Sequence, residues 1–356
     1  MVELEILGLM SGTSLDGLDI AHVKFSISPE KKEFKLLNFK TFEYEADCVM
    51  ELRNAPTLSV IELLKLDKKI GKEFANNVNL FLEEYQIDKN NIQAIASHGQ
   101  TILHQPQNGF TLQIGCGATI AYHTNLPVIN DFRTMDVVAG GQGAPLVPIG
   151  DFDLFNDLAE GFLNLGGFAN ISLKKEEQIS AFDICPANLP FNELVKELGV
   201  NFDNEGKLAR TGRINSDLLS CLNDLAYYSL EAPKSLGTEW LEEFFNPVLK
   251  SFKSSVEDKL ATISEHIALQ VARVIAENQL QNVMTTGGGT KNRFLIERIQ
   301  FHSKNKLVFM DEHTSDFKEA IVFAYLGVLY LLDQPNCISS VTGAKHNVIG
   351  GCLHKA

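Results

Sequence analysis

The sequence predicts an α/β protein of two related lobes. Its 356 residues exceed one ordinary hydrophobic core and suit two domains. A strand hairpin closed by a glycine-rich turn occurs twice, at Gly12–Gly17 and at Gly166-Gly167. Each hairpin is followed by a third strand and then by helices, so one order of elements repeats.

In the first lobe, Leu4–Met10 is almost wholly apolar, as for a strand covered on both faces. Leu18–Phe25 alternates, as for a strand with one wetter face, and Phe34–Glu43 continues as a third strand. Thr57–Tyr85 places Leu64, Ile70, Phe74 and Val78 at helical spacing. Ile92–Ser97 is a short strand ending in Ser97-His98-Gly99-Gln100-Thr101. Phe110–Ile114 is extended and Ala118–Thr124 a short helix; Val128–Asn130 is a strand ending in Asp131-Phe132-Arg133. The glycine-rich Ala139–Pro145 has the composition of a hinge or a substrate loop.

Beyond that joint the pattern starts again. Phe162–Leu165, Ile171–Lys174 and Ile179–Asp183 are strands, and Leu189–Leu198 is a helix. A long helical stretch spans Asp217–Asn278, interrupted at Ala232–Gly237. Val283–Thr286 and Leu307–Met310 are strands, and Phe317–Leu332 is an apolar helix. The domains are expected at residues 1–133 with 338–356, and at 134–337.

The formal net charge of −14 disfavours a nucleic-acid or anionic-membrane surface, which needs clustered Lys and Arg. No apolar run reaches the roughly 20 residues of a membrane span. Acidic Glu3 and Glu5 in place of a basic flank argue against a secretory leader. Six widely spaced cysteines without a CxxC pair read as reduced thiols, so a cytoplasmic protein is expected.

The first turn carries the clearest chemistry. A glycine at each end of Gly12–Gly17 permits a tight reversal, so backbone N–H groups can converge with the Ser11, Thr13 and Ser14 hydroxyls. That suits a phosphate. Asp16 would repel a phosphate directly, and its natural use is to hold a hydrated Mg²⁺. The other reading is an ordinary polar turn. Gly166 and Gly167 repeat the device in the second half, although Gly-Gly by itself also reads as an ordinary turn. Gly287, Gly288 and Gly289 end a strand, with Thr290 or Asn292 able to cap the next helix; the segment is a nucleotide contact or a plain strand-to-helix turn. Asp183 ends a strand before Pro186, as a proton acceptor or as a helix cap. His98 and Gln100 suit a sugar's hydroxyls or acetamido group; the other reading is a structural histidine. Arg133 is either paired with Asp131, the preferred reading, or in contact with a substrate carboxylate. Glu319 is a substrate contact or a first-turn acid of its helix.

Taken together, several long motifs resemble those of the anhydro-N-acetylmuramic acid kinases. They are GLMSGTSLDGLD at Gly8–Asp19, SHGQT at Ser97–Thr101, DFR at Asp131–Arg133 and GGQGAPLVP at Gly140–Pro148. NLGGFANIS at Asn164–Ser172, PKSLG at Pro233–Gly237 and TGGGTKN at Thr286–Asn292 follow in order. The resemblance covers nearly the whole chain. It implies the acetate-and-sugar-kinase/actin-like fold, with RNase H-like lobes and ATP and sugar in a cleft between them. It implies an ATP- and Mg²⁺-dependent kinase of cell-wall sugar recycling that opens 1,6-anhydro-N-acetylmuramic acid and phosphorylates O6. Gly12, Thr13, Ser14, Leu15, Asp16, Gly17, Leu18 and Asp19 would form the ATP-binding run. Gly166, Gly167, Gly287, Gly288 and Asn292 would complete the nucleotide site. Asp183 would be the catalytic base, and His98, Gln100, Arg133 and Glu319 are substrate candidates. A homodimer is the candidate assembly. The alternatives are a kinase of another amino sugar and a nucleotide-binding sensor without catalysis.

The sequence departs from the family pattern after the aspartate. Thr-Gly-Pro-Gly-Asn is usual; here Ile184-Cys185-Pro186-Ala187-Asn188 stands, and the new Cβ atoms are expected to narrow the loop. Cys116 and Asn192 stand where the family commonly has acids.

Overall fold

The computed structural model describes residues 1–175, 178–232 and 234–355, so Pro233 of the PKSLG motif and Ala356 lie outside the described residues. Two compact units emerge: Met1–Leu154 with Glu312–Ala356, and Phe155–Asp311.

In the first unit, β1 (Val2–Ser11), β2 (Gly17–Ile27) and β3 (Lys32–Glu43) form an antiparallel meander. β4 (Ile92–Gln105) and then β6 (Val128–Asn130) extend it in parallel from β1, β5 (Phe110–Ile114) pairs with β4, and β12 (Cys352–His354) closes the edge. In the second unit, β7 (Gly161–Leu165), β8 (Phe168–Lys175) and β9 (Gln178–Pro186) form the same meander. β10 (Asn282–Thr286) and β11 (Lys306–Phe309) extend it in parallel from β7. The order β3-β2-β1-β4-β6 thus recurs as β9-β8-β7-β10-β11. This is the duplicated α/β class the sequence predicts.

The apolar β1 is covered on both sides, as its composition requires. Leu7 and Leu9 share a core with Phe74 and Val78 of the helix Val60–Glu84. Ile6 and Met10 face the other way, into a core with Ile321, Ala324 and Val328 of the helix Lys318–Leu331. Between them a Cβ on Gly8 would come within 2.0 Å of the Ala320 carbonyl oxygen, so only glycine lets that helix seat.

That seating moves the domain boundary from the expected one. Thr134–Leu154 and Glu312–Cys337 belong to the first unit, because the apolar helix Lys318–Leu331 buries itself on β1, β2 and β4. The segment Ala139–Pro145 therefore lies inside a unit. It is also pinned there: the buried Asp136 carboxylate accepts from the Gly143 N–H at 2.7 Å and from the Thr342 hydroxyl at 2.6 Å. Those bonds make it a fastened loop in place of the expected hinge.

Three further elements differ from expectation. The helix expected from Thr57 starts at Val60, because Ser59 and Glu62 form a reciprocal capping box. The expected long helical stretch is broken into Ser216–Asn223, short turns, Asn246–Ser251 and Val256–Glu277; Ser255 caps the last through the Asp258 N–H at 3.1 Å. β4 runs on past Ser97 to Gln105, because β5 pairs with its far half.

Candidate functional site

The first unit offers the turn Gly12–Gly17 between β1 and β2. Leu15 takes φ +60°, its N–H bonds the Gly12 carbonyl at 3.3 Å, and the Tyr44 N–H bonds the Asp16 carbonyl at 3.3 Å. Gly17 is required by packing: a Cβ there would meet the Phe42 carbonyl oxygen at 2.4 Å. At Gly12 a Cβ would meet only the Ser14 hydroxyl, at 3.6 Å. The protein itself gives no steric reason for that glycine. Thr13, Ser14 and Asp16 are exposed, and Leu18 is fully buried core.

The Ser11 hydroxyl, expected as a phosphate donor, is spent internally. It donates to Gln100 Oε1 at 2.5 Å and lies 2.6 Å from the Tyr44 hydroxyl, with Ser11 1% exposed. Gln100 is also buried, and its Nε2 bonds the Thr101 carbonyl. His98 lies within β4, its ring on Phe323, with both nitrogens engaged. The Arg133 guanidinium donates to Nε2 at 3.0 and 2.9 Å, so Nε2 is the acceptor and Nδ1–H points to the Ser11 carbonyl at 3.3 Å. Burial, reinforced by the Arg133 charge, pushes the imidazole down to about 3. His98 and Gln100 thus brace the base of the turn from below. Neither residue sits at the expected strand end, because β4 runs through both and pairs with β5.

Arg133 does not pair with Asp131 among the described residues. It bonds His98 and the Gly143 carbonyl at 2.6 Å, while Asp131 accepts from the Thr134 hydroxyl at 2.6 Å. Glu319 reaches solvent on the first turn of its helix, yet protein crowds it closely enough to push its carboxyl up by desolvation, against Arg133 and Lys318. Asp19, bonded by the Thr41 hydroxyl at 2.5 Å, is also pushed up, first by burial and then by the Asp16 and Asp316 carboxylates.

In the second unit the Gly166-Gly167 turn is held by the start of the helix Asn188–Val195. The Asn188 N–H bonds the Gly166 carbonyl at 3.1 Å and the Ala187 N–H bonds the Gly167 carbonyl at 2.9 Å. The Asn188 amide donates to the Leu165 carbonyl at 3.0 Å. Gly287, at φ +88°, and Gly289 sit against Leu165 and leave no room for a Cβ. Gly288 does not: its nearest neighbour would be the Asn188 amide at 3.9 Å. Asn292 is a helix cap, accepting from the Leu295 N–H at 3.0 Å.

Asp183 lies opposite Asn170 on β8. Its Oδ2 accepts the Leu236 N–H at 2.8 Å, its N–H bonds the Lys234 carbonyl at 3.1 Å, and its carbonyl accepts the Tyr227 hydroxyl at 2.7 Å. Burial pushes the carboxyl up and the Leu236 N–H pulls it back down. Among the described residues no hydrogen bond is made by Oδ1. Sequence reasoning missed Tyr227 and Leu236; the interruption at Ala232–Gly237, between two helical runs, was the available signal.

The departures resolve differently from expectation. Cys185 and Ala187 are both fully buried in the core of the second unit, so their Cβ atoms fill that core and do not narrow an open loop. The Cys116 thiol accepts from the Lys68 ammonium at 2.9 Å; burial would raise it, but Lys68 and Thr119 outweigh burial and lower it. A position with such donors accommodates an acid for the same reason.

Each unit thus sets a glycine turn between the first two strands of a three-stranded meander, and the second unit holds the partly buried Asp183 carboxylate inside β9, not at the expected strand end. The family model described as anhydro-N-acetylmuramic acid kinase matches residues 4–356, and the chain belongs to that family. The anhydro-N-acetylmuramic acid kinases of Bacillus cereus (strain Q1) and Bacillus anthracis (strain A0248) are each 35% identical to it, over 97% of this chain and 98% of theirs. Among solved structures, the activator of the 2-hydroxyisocaproyl-CoA dehydratase from Clostridium difficile aligns over 93% of this chain and 97% of its own, at 11% identity and a TM-score of 0.43.

Proposed function

We propose that this protein uses ATP and water to convert 1,6-anhydro-N-acetylmuramic acid to N-acetylmuramic acid 6-phosphate and ADP. Family membership supports the reaction, and the free Oδ1 of Asp183 is the observation that supports its mechanism. Asp183 accepts a proton from a water as that water's oxygen bonds to the anomeric carbon. The anomeric carbon–O6 bond breaks, O6 attacks the γ-phosphorus, and ADP leaves. Burial makes Asp183 a stronger base than a solvated aspartate.

Gly12 and Gly288 support the nucleotide reading, because neither packing nor a positive φ explains them. Phosphate or ribose lying against the backbone would. Thr13 and Ser14 add hydroxyl donors from the same turn. Arg133 and Glu319 are assigned to the sugar, with His98 and Gln100 acting through the turn they brace. The donor set fits Mg²⁺: it is hard oxygen, and an ATP-bound ion needs few protein ligands beyond one carboxylate reached through water. Asp16 would hold it, easing the repulsion that Asp19 feels from Asp16 and Asp316. When bound, the ion offsets charge on the phosphates. The dependence on ATP argues for a cytoplasmic reaction.

Two measurements test this. ADP release should require the anhydro sugar, and ¹⁸O from labelled water should appear promptly on the anomeric carbon. ADP release only with reducing sugars would point to another amino-sugar kinase, and ATP binding without sugar-dependent release to a sensor. Separately, Gly12→Ala should leave the melting temperature unchanged and raise KM for ATP about tenfold, roughly 1.4 kcal/mol of lost binding. An unchanged KM would remove Gly12 from the nucleotide site.

A further inference from the structure

We infer that Tyr227 is a positioning residue for Asp183, clamping the outer edge of β9 at the reacting carboxylate. This rests on the reading of Asp183 as the base. β9 is an edge strand, so among the described residues its side away from β8 has no strand partner. In an extended chain the N–H and C=O of one residue point to the same side. At Asp183 both point outward, the N–H to the Lys234 carbonyl at 3.1 Å and the carbonyl to the Tyr227 hydroxyl at 2.7 Å.

The ladder is irregular at this point. Cys185 faces Ala169 while Asp183 faces Asn170, so Ile184 is an extra residue on β9. Such a bulge re-aims the side chains beside it and interrupts the pairing that would otherwise hold the backbone. Without outer partners, Asp183 would ride on the least restrained part of its strand. The clamp is itself anchored. Tyr227 is 5% exposed, and its ring lies 5.4 Å from Trp240 and 5.8 Å from Tyr228 between centroids. Of the outer contacts to Asp183, those of Lys234 and Leu236 come from backbone groups. Tyr227 holds through its side chain, so substitution can remove its contact alone.

Tyr227→Phe in the full chain keeps the ring and deletes the 2.7 Å bond. Turnover should fall about 3–10-fold, the range of one hydrogen bond, with KM for ATP and sugar within twofold. The acidic limb of the kcat–pH profile should also move to higher pH. A displaced Asp183 loses part of the Leu236 N–H bond that pulls its pKa down. The other titratable groups around Asp183 are Cys185 and Tyr227, both pushed far up by burial, and Lys234, pushed down by burial. The first two stay protonated through the acidic limb, and Lys234 bears on the basic one.

Tyr228→Phe is the control. It deletes a bond of similar length, 2.8 Å to His266 Nε2, without touching Asp183, and should leave kcat and the limb unchanged. Wild-type kcat and limb in Tyr227→Phe, or equal losses in both variants, would overturn the clamp. If Asp183→Asn is meanwhile inactive, the base reading survives that failure. If Asp183→Asn is fully active, the base reading itself falls.

Discussion

Asp183→Asn is expected to lower turnover by about 10²–10⁴-fold, the usual worth of a positioned acid–base group. The amide preserves the shape and can still accept the Leu236 N–H, now held at 2.8 Å by Oδ2. It cannot take the proton from the attacking water. ATP affinity should stay near wild type, because the proposed site assigns the phosphates to the glycine turns and not to this carboxylate. The fold should gain stability at neutral pH. Asp183 has a folded pKa raised by burial, so its ionised form is disfavoured in the folded state. Its contribution to stability is most favourable below its unfolded pKa and is lost as pH rises through the folded one. Removing the charge recovers that loss near pH 7 and recovers nothing in strong acid. Steady-state ADP release, ATP titration and urea midpoints at neutral and acidic pH check the three claims. An Asn variant with wild-type turnover would remove Asp183 from the mechanism.

The duplicated element order was legible because each part of it leaves a local mark. Alternation at Leu18–Phe25, the apolar run Leu4–Met10 and the paired glycines report strand, burial and turn from neighbouring residues alone. What escaped depends on partners far along the chain. β4 continues through His98 and Gln100 because β5 pairs with it, and nothing within SHGQT announces that pairing. The same is true of Arg133, whose partner is His98, 35 residues away, and not Asp131, two residues away. Gly141 and Gly143 look like a flexible joint in composition. Asp136 and Thr342 fasten them, and Thr342 is 206 residues from Asp136.

The candidate site shows the same division. Asp183, Gly12 and Gly288 stand out as candidates because a carboxylate closing an apolar run and successive glycines have few structural uses, although β9 continues past Asp183 to Pro186. The environment of Asp183 was not, since Tyr227, Lys234 and Leu236 reach it from a stretch with helical composition. Cys185 and Ala187 show the limit of reasoning from substitution alone. They follow Asp183 closely in the chain, but their side chains turn into the core.

As pH falls below about 6.5, two buried histidines, His98 and His266, are expected to draw down the protein's stability. His98 and His266 are 5% and 0% exposed, and burial pushes both from the ordinary 6.5 down to about 3. Each is held as a neutral acceptor. Arg133 donates to His98 Nε2, so a proton there would face two N–H donors and a cation. Asn223 Oδ1 takes His266 Nδ1 at 2.7 Å, which leaves Nε2 to accept the Tyr228 hydroxyl at 2.8 Å. Depressed folded pKa values give stability that is complete above the unfolded pKa and is lost as pH falls toward the folded one. The loss is about 1.4 kcal/mol per pH unit for each histidine between those limits. Asp19, Asp183 and Glu319 have raised folded values and act in the opposite sense, so the total slope mixes both. A difference measurement isolates the histidine. His266→Gln keeps a polar side chain between Asn223 and Tyr228 but cannot titrate. Urea unfolding at pH 7.5, 6.5, 5.5 and 4.5 should show the wild type losing about 1.4 kcal/mol per unit more than the variant below 6.5. Parallel curves for the two proteins would mean that His266 is not held neutral in the fold.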